Sequence, residues 1–166
     1  LKQKNIIKML DKNLSAIRLN ELGKVISIIK IFYNDYKNLR ILELGAGSGM
    51  QAKKLDDLGF NVEAIDIKGS FYSDQLFWPV KVYNGEKIPF PNSSFDIIFS
   101  SNVLEHVENI EKIQTEIRRV LKNDGISIHL MPTSSWRFWE ILTRFPFSIK
   151  IIIQIVINKL KNKNKG

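Results

Sequence analysis

The chain has no cysteine among its 166 residues, which excludes a disulfide framework and any thiolate metal site. Only two histidines occur, so imidazole chemistry is confined to His106 and His129. Long hydrophobic runs are missing as well: the most apolar stretch is residues 148–157, and a bilayer-spanning helix needs about 20 residues. It reads either as a helix packed on the domain or, with the basic KLKNKNKG end behind it, as a helix making peripheral contact with a membrane surface. No leader of signal-peptide type opens the chain. The first residue is Leu1 rather than Met, and a fragment or trimmed chain is the expectation.

What is present suits one packed domain, since 44% of the residues are hydrophobic. The formal charge of +8 suggests nucleic acid until it is divided along the sequence. Residues 1–40 carry +6, residues 41–149 carry −3 and residues 150–166 carry +5. A mildly acidic centre between basic ends argues against a basic groove and against a nucleic-acid partner.

The chain is organised around RILELGAGSGM, Arg40 to Met50. Ile41, Leu42 and Leu44 read as a buried strand, and Gly45, Gly47 and Gly49 as a turn where backbone can approach a ligand closely. MQAKKLDDLGF follows with the pattern of a helix stopped by Gly59. A second apolar run, Val62, Ala64 and Ile65, closes on Asp66. An acid at the tip of a second strand stands where both hydroxyls of a ribose are held. Asp66 lies 21 positions after Gly45, a spacing that supports a nucleoside ligand without choosing its class.

The dinucleotide fingerprint is G-x-G-x-x-G, whereas Gly45, Gly47 and Gly49 fall as G-x-G-x-G. That spacing, with Glu43 two residues ahead, resembles motif I of the class I S-adenosylmethionine (SAM) dependent methyltransferases. A carboxylate here would repel a pyrophosphate and suit the ammonium of a methionine moiety. NGEKIPFPNSSFDIIFSSNVLEHV extends the resemblance to the small-molecule, type 11-like methyltransferases. Ile88, Pro89 and Phe90 match an L-P-F element, Phe95 and Asp96 an F-D pair, and Leu104, Glu105 and His106 an L-E-H element. The run Arg118 to Gly125 is similar to the family's helix and turn before strand five.

The resemblance implies a Rossmann-like α/β fold, a mostly parallel sheet with helices on both faces, ending after strand five. It implies SAM as cofactor, a small-molecule, glycan or lipid-precursor acceptor, and a cytoplasmic location. Cofactor-binding positions carried over are Glu43, Gly45, Ala46, Gly47, Gly49, Asp66, Ile67, Asn84, Gly85 and Ser101. Asn84 stands where the family usually has an Asp that accepts from the adenine amino group; its side-chain carbonyl is expected to accept from that amine without bringing a charge, and Gly85 offers its N–H to adenine N1. His106 is either a base for an acceptor hydroxyl or part of the pocket wall. Glu105 and His106 are similar to the metal-binding E-x-x-E-H segment of ubiquinone-type O-methyltransferases, but Asn102 replaces its first Glu, so no metal is expected.

Three parts make up the expected chain. Residues 1–38 hold two helices, the second capped by Ser15 and buried through Ile17, Leu22, Val25, Ile28, Ile29 and Phe32. Residues 39–132 form the SAM-binding core, with a third strand at Val80–Tyr83, a fourth from Asp96 and a fifth begun after a turn at Asn123, Asp124 and Gly125. Residues 133–166 form a helical extension whose Trp136, Phe138, Trp139, Arg137 and Arg144 either line an acceptor entrance or pack as core. Three other functions fit less of the chain: a non-catalytic module of the same fold, an RNA methyltransferase and a nicotinamide-linked oxidoreductase.

Overall fold

The computed structural model describes residues 2–69 and 76–132, with side chains from residue 16 onward. Helix α1, Lys2–Phe32, leads into strand β1, Arg40–Leu44. Helix α2, Met50–Asp57, and strand β2, Asn61–Ile67, complete the first β–α–β unit. Strand β3, Lys81–Tyr83, and strand β4, Phe95–Ser101, follow, then a 3₁₀ turn over Leu104–His106, helix α3, Ile110–Val120, and strand β5, Leu121–Leu130. The strands form one sheet in the order β3-β2-β1-β4-β5, and every pairing in it is parallel.

Alternation along the central strands explains why helices cover both faces. Ile41, Ile97 and Phe99 enter one core with Leu22, Val25 and Ile29 of α1 and Ala52 and Leu55 of α2. Leu42, Leu44 and Ile98 enter the other with Ile113, Ile117 and Val120 of α3. Successive side chains on a strand point to opposite faces, so an uninterrupted apolar run such as Ile97–Phe99 must be covered twice. Each large aliphatic chain buried this way contributes roughly 1.5–3 kcal/mol.

Three expectations are corrected. The two N-terminal helices are one: Ser15 lies inside α1 rather than capping a second helix. No proline breaks the span, and a mid-helix serine competes only weakly for the backbone. Of the six apolar residues assigned to the buried face, Leu22, Val25 and Ile29 are buried, while Ile17, Ile28 and Phe32 are exposed. The spacing i, i+3, i+7 keeps the first three in one stripe, Ile17 and Ile28 fall beyond its edges, and Phe32, which continues the spacing, is the last residue of the helix. Asn123, Asp124 and Gly125 are not a turn ahead of β5 but lie within it. Phe95 pairs with Leu121 and Ile97 with Ile126, so the strand bulges outward over these residues. A Cβ on Gly125 would come within 2.8 Å of the Asp96 carbonyl oxygen, which is why glycine ends the bulge.

Asp96 ties three strands at the opposite end of the sheet from the glycine turn. Its carboxylate accepts from the Arg40 N–H at 2.9 Å and pairs with Lys122 at 2.7 Å. Burial alone would raise its pKa, but Lys122 and the Arg40 N–H outweigh that and hold it below the usual carboxylate range. The aromatic and basic segment expected over residues 133–166, like Phe71 and Tyr72, lies outside the described residues. Among the described residues no helix is long and apolar enough to cross a membrane.

Candidate active site

The carboxyl end of β1 turns into α2 through three glycines, all with positive φ: 73° at Gly45, 57° at Gly47 and 74° at Gly49. The N–H groups of Gly45 and Ala46 both reach the Ile65 carbonyl, at 2.9 and 3.1 Å, which anchors the turn to β2. At Gly45 a side chain would be strained by φ and would also overlap Val103. At Gly49 a Cβ would meet Trp78 at 2.7 Å. Trp78 packs on the α1–α2 core, the Phe77 N–H donates to the Ser48 carbonyl at 2.8 Å, and the Phe77 ring is exposed. The turn is thus walled on two sides.

It is open on the third. A cavity of about 570 Å³ runs along the carboxyl ends of the strands, and Gly45, Asp66, Ile67, Asn84, Gly85 and His106 line it. Asp66, next to last in β2, uses both carboxylate oxygens: Oδ2 accepts from the Gly47 N–H at 2.6 Å and Oδ1 from the Ile67 N–H at 2.7 Å. Each oxygen keeps a lone pair for a ligand. Among the wall residues not read from the sequence are Tyr83 and Lys112. Tyr83 is the last residue of β3, and the signal for it was its place beside Asn84. Burial, with the Asp66 charge second, raises the pKa of its phenol. Lys112 pairs with Glu86 at 2.8 Å across the cavity wall, a contact between distant segments that no local pattern announces.

Five of the expected residues do not line the cavity: Glu43, Ala46, Gly47, Gly49 and Ser101. Glu43 is the most informative of them. It is 2% exposed, and burial pushes its pKa up to about 8, against the lowering effects of the Ala52 N–H and Arg18. Its Oε2 has no hydrogen-bond partner. Burial thus works against the negative charge with which Glu43 was expected to attract an ammonium. Ala46 and Ser101 are buried. Ser101 donates to Glu21 at 3.3 Å and accepts from the Asn102 amide at 3.2 Å.

Asn84 is corrected too. Its Oδ1 accepts from the Glu86 and Lys87 N–H groups, both at 3.0 Å, so the oxygen expected to receive the adenine amino group is already occupied. His106 is the more open of the two histidines, with its imidazole 75% exposed, and 3.9 Å from Glu105 is too far for a hydrogen bond. His129 is half-buried in β5, its Nδ1 2.8 Å from the Ser100 hydroxyl, and burial lowers its pKa.

The L-P-F element has a structural explanation. Arg119 of α3 donates to the Ile88 and Phe90 carbonyls, each at 2.8 Å. Glu116 pairs with Arg119 at 2.7 Å and accepts from the Ile88 N–H at 2.9 Å. The pair pins the loop leaving Asn84 and Gly85 onto α3.

A parallel sheet whose glycine turn and second-strand acid border one cavity is the architecture of a nucleoside-cofactor enzyme. Residues 42–129 match the model of the methyltransferase domain family, and the chain therefore belongs to the class I SAM-dependent methyltransferases, enzymes whose cofactor is SAM. It is 33% identical over 124 residues to a ubiquinone biosynthesis O-methyltransferase of Rickettsia bellii, a match covering 69% of this chain and 50% of that protein. The chain thus spans about half the length of the curated relative it matches. Among solved structures it resembles the YcgJ protein of Bacillus subtilis, with TM-score 0.54 and 24% identity over 66% of this chain and 49% of that one. It also resembles a SAM-dependent methyltransferase of Thermotoga maritima, with TM-score 0.56 and 22% identity over 74% and 56% of the two chains. These two likenesses concern the fold.

Proposed function

We propose that this protein transfers a methyl group from SAM to a hydroxyl oxygen of a small-molecule acceptor. The observation that carries the reading is the cavity at the carboxyl ends of β1, β2 and β3, lined by Gly45, Asp66, Asn84 and Gly85. The donor set fits a nucleoside: Asp66 keeps acceptor capacity for two ribose hydroxyls, Gly85 has a backbone N–H for the base, and glycine at 45 leaves the wall without a side chain. When bound, SAM supplies a methyl group activated by the adjoining sulfonium.

The protein's part is mainly to position, because a thioether leaves without protonation and alignment of acceptor and methyl lowers the barrier. His106, exposed on the cavity wall, takes the proton from an acceptor hydroxyl. The hydroxyl acceptor is supported by the O-methyltransferase relative, and glycan and lipid-precursor acceptors belong to the same reading. We place the protein in the cytoplasm, where SAM is made.

Calorimetry of the full-length protein with SAM and with S-adenosylhomocysteine tests the cofactor site, and absence of heat with both sinks it. Methyl-labelled SAM, incubated with hydroxylated aromatic and lipid-precursor acceptors, tests the reaction. Transfer to none of them, with cofactor binding intact, favours the non-catalytic module. His106→Gln is expected to lower kcat at least about 100-fold with little change in cofactor affinity.

A further inference from the structure

The hydrogen bonds of Asn84 determine what it shows to a ligand, and the inference from them rests on the cofactor reading above. Oδ1 accepts the Glu86 and Lys87 N–H groups, which identifies the oxygen, since only it can accept, and uses both of its lone pairs. The amide NH₂ makes no hydrogen bond among the described residues, and Asn84 lies on the cavity wall. Turning the amide over would surrender two hydrogen bonds and set the NH₂ against two N–H donors. The side chain therefore presents a donor.

Strand order says which part of a nucleoside meets it. A ribose held by the acid at the tip of the second strand carries its base away from the glycine turn of the first. Beyond β2 in this sheet comes β3, whose end leads directly into Asn84 and Gly85. By the family resemblance the part of adenine that meets this position is its 6-amino group, itself a donor, so donor faces donor.

We propose that Asn84 is a specificity-determining residue that penalises the 6-amino group of the bound purine, so that the site holds adenosyl compounds weakly. An aspartate at this position would cap the same two N–H groups with one oxygen and offer the other as an acceptor. The loop keeps its shape and only the polarity toward the base reverses.

The test is calorimetric titration of full-length wild type and Asn84→Asp with S-adenosylhomocysteine and with its analogue lacking the 6-amino group. Asn84→Asp is expected to bind the adenosyl compound about ten-fold more tightly than wild type does, with the deamino analogue essentially unchanged. Wild type is expected to bind the deamino analogue at least as tightly as the adenosyl compound. Tighter wild-type binding of the adenosyl compound overturns the proposal without any variant, as does an Asn84→Asp protein of unchanged or lower adenosyl affinity. If neither ligand binds either protein, the cofactor reading itself has failed. Asn84→Ala removes the loop cap, which should weaken both ligands, and also removes the donor, so the preference for the deamino analogue should shrink; a preference unchanged or widened in that variant would count against base readout.

Discussion

At the scale of single residues, backbone conformation and burial decide more than residue type. Gly45→Ala adds a Cβ where φ is 73° and Val103 occupies the space. A loss of about 1–3 kcal/mol of stability is expected in urea titration, together with loss of cofactor binding. Adding Val103→Ala should restore part of the stability, because overlap is removed while the strain in φ remains.

Glu43 gives a pH signature. Its pKa is raised to about 8 in the folded protein, first by burial, so the native state binds this proton more tightly than the unfolded chain does. Its contribution to stability is complete below the ordinary carboxylate pKa and is lost as pH rises toward 8. Glu43→Gln should flatten that fall, and the difference between variant and wild type should widen from pH 5 to pH 8 in denaturant titrations. A constant difference would show that the group titrates normally.

At the scale of elements, the loop from Asn84 to Phe90 depends on α3. Arg119 reaches two carbonyls and Glu116 through one planar fork, a geometry that lysine does not reproduce. Arg119→Lys is expected to cost about 1–3 kcal/mol in unfolding experiments and to weaken cofactor binding by loosening the loop. An effect like that of an exposed salt bridge, under about 1 kcal/mol, would show that the loop holds itself. The bulge in β5 makes a similar point: Asn123–Gly125 have turn chemistry, yet Asp96 and Lys122 draw them into the sheet. An isolated reading of Asn-Asp-Gly could not foresee partners on another strand.

At the scale of the whole molecule, the site borrows from β1, β2, β3 and the segment after β4 at once. A ligand bridging them should stabilise the entire unit. S-adenosylhomocysteine at 100 times its Kd is expected to add about 2.7 kcal/mol, visible as a rise in Tm, and NADH should add nothing. A Tm raised by NADH instead would revive the nicotinamide reading. Family membership already favours SAM, and the spacing of Gly45, Gly47 and Gly49 carried the same distinction in five residues.

By itself the sequence determined the parallel sheet and the place of its glycine turn. Apolar runs of strand length, glycines in one short turn and an acid closing the next run are local facts, and local chemistry is enough to build β1, α2 and β2 in that order. It did not determine the state of the groups that matter there. That burial raises the pKa of Glu43, that the Asn84 oxygen is spent on its own loop and that Arg119 holds this loop were decided by tertiary structure. Burial, hydrogen-bond competition and contacts between distant segments exist only once the chain has closed on itself.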